Sequence, residues 1–108
     1  MDMQQLLEAA DKVHKYFIQK DITIDTEKHS LLSVIKLAEE VGELNEQILL
    51  HYGHSRKEKM EKYSPQNLAE EIADVIFTTM LVAKSLDVDI QKALSNKMEK
   101  IYTRLWIQ

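Results

Sequence analysis

Gly42, Gly53 and Pro65 are all the glycine and proline that 108 residues contain. Turns and short strands draw heavily on both residue types, so a chain this short of them favours a few long helices. From Gln66 to Gln108 there is neither. The expected fold class is all-α, with four main helices.

Start and stop signals divide the chain. A first helix is expected from about Asp2 to Gln19, with Leu6, Leu7, Ala10, Val13, Phe17 and Ile18 at helical spacing. Asp25 and Thr26 are candidate N-caps for a second, which runs to about Leu50 with Gly53 as its C-terminal stop. The stretch HSRKEKMEKY reads as a mobile connection or a short exposed helix. Ser64 followed by Pro65 is a hydroxyl cap before a proline in the first turn, and it opens a third helix that reaches about Leu86. Asp87 or Asp89 caps a fourth, through Ile90, Leu94, Met98, Ile101 and Leu105.

Composition narrows the class. With 44% hydrophobic and 30% charged residues, the chain reads as soluble and globular, a single domain over residues 1–108. The absence of cysteine excludes disulfides and thiolate metal sites. No basic, apolar leader opens MDMQQLLEAADK, and no stretch is long enough to span a bilayer. A net charge of −4 argues against binding a nucleic-acid polymer. The expected location is cytoplasmic.

The middle helices differ in character. On the second, Val34, Leu37, Ala38, Val41, Leu44 and Ile48 form an apolar arc, with Lys36, Glu39, Glu40, Glu43 and Gln47 on the other side; this is an ordinary amphipathic pattern. The third is apolar nearly all round, through Leu68, Ile72, Val75, Ile76, Phe77, Met80, Leu81, Val82 and Ala83. Its polar stripe is only Glu71, Asp74, Thr78 and Ser85. A helix of that kind is usually buried, and four helices cannot easily cover it alone. A bundle completed by homo-oligomerisation is therefore expected.

Glu40 and Glu43 are three apart, as are Glu71 and Asp74, so each pair shares one helical face. If the two helices pack antiparallel, four carboxylates converge. Like charges about 5 Å apart repel by roughly 3 kcal/mol at an effective dielectric near 20. Such a cluster must protonate, pair with basic residues or hold cations. An all-oxygen set suits Mg²⁺ or Mn²⁺, the preferred reading. Solvated acids, or ion pairs with Lys36 or the fourth helix, are the competing structural explanation. Lys97, Lys100 and Arg104 recur at i, i+3 and i+7 as a basic stripe. Set against metal-holding carboxylates, that stripe describes a polyphosphate site.

The segments EEVGE at 39–43 and EEIAD at 70–74, within LAEEVGEL and LAEEIADV, together with KMEKIYTR at 97–104, resemble the ordered motifs of the MazG-like, all-α nucleotide pyrophosphohydrolases. The resemblance spans roughly Leu31 to Arg104. It implies Mg²⁺-dependent hydrolysis of a nucleoside triphosphate to the monophosphate and pyrophosphate, in a site built by the helices of a dimer or a pair of dimers. By position it implies Glu40, Glu43, Glu71 and Asp74 as metal ligands. Glu39 and Glu40 become catalytic carboxylates, Glu39 as a further ligand or the group that orients water. Lys36, Lys97, Lys100 and Arg104 would meet phosphate oxygens. Ile101 and Leu105 depart from the family pattern, where asparagine and an aromatic residue are common.

His51 and His54, near the end of the second helix, read as exposed histidines ahead of a cap. His14 and His29 are isolated, and either could line a pocket. Tyr16, Phe17, Tyr102 and Trp106 could stack on a base but fit core or interface equally. Phosphoribosyl-ATP pyrophosphohydrolase activity and a non-catalytic helical interaction module are the alternative functions. A ferritin-like di-iron centre is disfavoured, because no Glu-x-x-His pair occurs.

Overall fold

The computed structural model describes residues 1–108, with helices α1 (Met3–Lys20), α2 (Thr26–His51), α3 (Lys57–Met60), α4 (Pro65–Ser85) and α5 (Ile90–Leu105). The chain is all-α, and no helix is long and apolar enough to cross a membrane. HSRKEKMEKY contributes only the single turn of α3.

Each long helix begins on a side-chain cap that offsets otherwise unpaired N–H groups. Asp2 and Gln5 form a reciprocal capping box on α1. Asp25 accepts from the Lys28 N–H at 2.9 Å, and Ser64 Oγ accepts from the Asn67 N–H at 3.0 Å, with Pro65 in the first turn. Of the two candidates for α5, Asp89 is the cap, accepting from the Lys92 N–H. Asp87 instead closes α4: its φ of 55° lets the Val88 N–H reach the Ala83 carbonyl at 2.9 Å. Gly53, at φ 76°, ends α2 in the same way; the His54 N–H donates to Leu49 O at 2.8 Å.

The principal packing is α2 on α4, with α1 laid against α4. Ser30, at the start of α2, donates to the Ser85 carbonyl at the end of α4, whereas Glu40 and Glu43 lie beside Glu71. These pairings make α2 and α4 antiparallel. Lys84 of α4 holds Asp11 of α1 at 2.9 Å.

The α4-facing side of α2 differs from its apolar arc. Ser30, Glu40 and Leu50 are buried, and Ser33, Leu37, Leu44 and Gln47 are partly buried. Steps of three and four carry this seam along the helix. It passes through Glu40 and Gln47, which the amphipathic pattern puts outside. Val34, Val41 and Ile48, the middle of the apolar arc, are 40% exposed or more, and so are Ile72 and Ile76 of α4. On α5 no residue is buried. The Cα radius of gyration is 16.9 Å, against about 13 Å for a compact chain of this length. One chain thus leaves part of its most apolar helix uncovered.

Candidate metal centre and adjoining cavity

Antiparallel packing brings Glu40 and Glu43 of α2 to Glu71 of α4, with one carboxylate oxygen from each inside a common 4.8 Å. Glu40 is buried, Glu71 partly buried and Glu43 exposed. Asp74 stands a turn further along α4, exposed and outside this trio. Burial, then repulsion from Glu43, Asp74 and Glu40, raises the pKa of Glu71 above its ordinary value.

One cation of the chain already answers the cluster. Lys36 Nζ lies 3.1 Å from Glu40 Oε1 and 3.4 Å from Glu39 Oε2. These bonds, Glu40 first, raise the Lys36 pKa. The answer is incomplete: Glu40 Oε2 and Glu71 Oε2 are buried without a hydrogen-bond partner. Buried carboxylate oxygens are seldom left so. Hard, unpaired oxygens converging from two helices fit a divalent cation such as Mg²⁺ or Mn²⁺. Gln47 Oε1, further along the seam, is a third buried oxygen without a partner. Its place on the polar arc of α2 gave the sequence no reason to single it out.

Glu39 is exposed and touches the site through Lys36. Lys97, Lys100 and Arg104 are exposed on α5, and none pairs with an acidic residue. Within one chain α5 packs only lightly on the other helices.

A cavity of about 590 Å³ adjoins the cluster, between the end of α1, the following turn, the first half of α2 and α4. His14 and His29 both line it, as do Phe17, Leu32, Leu81 and Lys36. His29 Nε2 is buried with no hydrogen-bond partner. Burial, reinforced by the charges of His29 and Lys84, pushes the His14 pKa down. Lys20, Asp21, Ser33 and Thr78 complete the polar lining; three helices contribute, and no single periodicity marks them. At the far end of α2, His51 Nδ1 and Tyr63 Oη share a 2.6 Å hydrogen bond, a link between α2 and the segment before α4.

An all-helical chain with carboxylates converging between two antiparallel helices belongs among proteins with an acidic cluster able to hold a metal, here with a cavity beside it. Residues 26–105 match the model of the MazG nucleotide pyrophosphohydrolase domain. The chain belongs to that family. It is 35% identical over 74 residues to the uncharacterized protein YpjD of Bacillus subtilis (strain 168), covering 68% of this chain and 65% of YpjD. No solved structure matches.

Proposed function

We propose that the protein hydrolyses a nucleoside triphosphate, ribo or deoxyribo, to the nucleoside monophosphate and pyrophosphate, with Mg²⁺ or Mn²⁺ as cofactor. The observation that carries this reading is the pair of unpartnered buried oxygens, Glu40 Oε2 and Glu71 Oε2, inside the carboxylate trio of a MazG-family chain.

Glu40, Glu43 and Glu71 would hold the cation, with Asp74 joining from the next turn of α4. A bound divalent cation polarises phosphoryl oxygens and lowers the pKa of water. Glu39 keeps an exposed carboxylate beside the trio, held through Lys36, where it can orient the attacking water and accept its proton. The water oxygen bonds to the α-phosphorus, the bond from that phosphorus to the α,β-bridging oxygen breaks, and pyrophosphate leaves with that oxygen. Lys36 offers its ammonium to the phosphate oxygens. Lys97, Lys100 and Arg104 stabilise the leaving charge.

Because α5 packs only lightly on its own chain and its basic stripe pairs with none of the carboxylates there, the basic stripe reaches a site across a homodimer or homotetramer. The exposed apolar arcs of α2 and α4 and the extended radius of gyration support that assembly. Residues 1–108 act as one domain in it. The test is a panel of triphosphates incubated with Mg²⁺ and resolved by anion exchange. Monophosphate and pyrophosphate in equal amounts are expected; orthophosphate as the sole inorganic product would refute the reading.

A further inference from the structure

We propose that the cavity between α1, α2 and α4 seats the base and sugar of the nucleotide, and that His29, with His14 beside it, is the group that reads the base. This inference rests on the pyrophosphohydrolase reading for the phosphates and adds the residues that choose among nucleosides.

Position is the first argument. Lys36 lines the cavity and also bonds Glu40. From Lys36 to Glu40 on α2, and from Thr78 back to Asp74 on α4, is one helical turn, about 6 Å. A triphosphate at the carboxylates therefore has its nucleoside end at the cavity mouth. The opposite direction along the seam leads toward Gln47 and Leu50, where no comparable cavity opens.

Character is the second. The volume, about 590 Å³, falls among those of small-ligand sites, which pair apolar walls with few polar groups. Phe17 and Leu32 remain roughly half exposed at 48% and 51%, flat apolar surface that a planar ring would cover. Tyr16 braces Phe17 edge-on, with ring centroids 5.4 Å apart.

The third argument is the unpartnered His29 Nε2. A buried ring nitrogen without a partner is costly, and a base edge, which carries both donors and acceptors, can satisfy it in either tautomer. Bases then differ in what they present at His29. A site built to hydrogen-bond one group discriminates strongly against an analogue that lacks it.

The test uses the whole chain with labelled histidine, without metal, titrated with CMP, UMP, AMP and GMP. His51 lies about 33 Å from His29 along α2, so it and His54 serve as internal controls. The expected result is that His14 and His29 ring signals move with at least one monophosphate while His51 and His54 do not, and that the four differ in affinity. In a second arm, His29→Leu should raise KM for the preferred triphosphate about tenfold, the loss of one hydrogen bond, with kcat within about twofold and Mg²⁺ affinity by calorimetry unchanged. Shifts without any triphosphate cleavage uphold the cavity assignment and sink the pyrophosphohydrolase reading. Cleavage with all four histidine signals unmoved, or His29→Leu lowering kcat without raising KM, overturns the cavity assignment.

Discussion

Replacing Glu71 by Gln should stabilise the metal-free protein and destabilise it relative to wild type when metal is present. At the 4.8 Å limit within which the trio's oxygens lie, two unit charges repel by about 3 kcal/mol at an effective dielectric of 20. Glu71 faces two such neighbours. The Lys36 ammonium at 3.1 Å offsets Glu40, and solvent screens the exposed Glu43. A net relief of about 1 to 2 kcal/mol remains, or about 4 to 8 °C in Tm for a domain of this size. The pH dependence has a definite sign. Because the folded-state pKa of Glu71 is raised, its contribution to stability is full below the ordinary glutamate value. That contribution is lost as pH rises through the raised one. Wild type and Glu71→Gln should therefore melt together in acid and separate as pH climbs to 7 in EDTA, the variant higher. Mg²⁺ at a hundred times its Kd would add about 2.7 kcal/mol to wild type, and much less to the variant, reversing the order. Differential scanning calorimetry across pH, with and without Mg²⁺, reads all of this. A variant that melts below wild type at pH 7 in EDTA, or a gap that does not close in acid, would refute the electrostatic account.

Other perturbations have equally definite outcomes. Lys36→Met leaves the buried Glu40 carboxylate without its cation and should lower the Tm in EDTA, a loss largely recovered on adding Mg²⁺; thermal melts decide it. Asp11 is held down to about 2 by hydrogen bonds from Lys15 and Lys84. Its contribution is present above the ordinary value of 3.8 and fades as pH falls toward 2, so its carboxyl carbon should titrate near that value by NMR, and Asp11→Asn should flatten the acid limb of the stability curve. Val41→Glu or Ile76→Glu, each placing a charge on an exposed apolar arc, should shift light-scattering mass from a multiple of 12.6 kDa toward that value; an unchanged mass would place the interface elsewhere.

Element boundaries were legible where the chemistry is local. Ser64–Pro65, Asp25 and Gly53 mark caps whose hydrogen bonds involve residues within a turn, and the structure places them there. The choice between Asp87 and Asp89 was not legible, since either aspartate can cap. It is settled by the left-handed turn that Asp87 makes behind α4. The approach of Glu40 and Glu43 to Glu71 followed from their three-residue spacing and antiparallel packing. The burial of Glu40 did not. Hydrophobic periodicity finds the most apolar face of a helix, and on α2 that face, Val34, Val41 and Ile48, is not the one against α4. The seam runs along the boundary of the two arcs, through Leu37 and Leu44 on one edge and Glu40 and Gln47 on the other. The cavity was still less visible, because His14, His29 and Thr78 come from three helices with no shared period.

The same geometry ties the site to the assembly proposed for it. Of the eight buried residues, four are polar or charged: Ser30, Glu40, Thr78 and Ser85. A seam so rich in polar groups contributes little hydrophobic stabilisation to the pairing of α2 with α4. The larger apolar areas, on Leu31, Val34, Ile35 and Val41 of α2 and on Ile72 and Ile76 of α4, face away from it. Burying those residues against a second copy would hold the backs of both helices, and so keep the carboxylates together despite their repulsion. A cation among the carboxylates would favour the same pairing from the other side. Two ligands of one conformation strengthen each other by the same factor, whichever binds first. Assembly would then raise metal affinity and metal would tighten assembly, because both act on the α2–α4 seam, whose polar residues give it little hydrophobic stabilisation of its own.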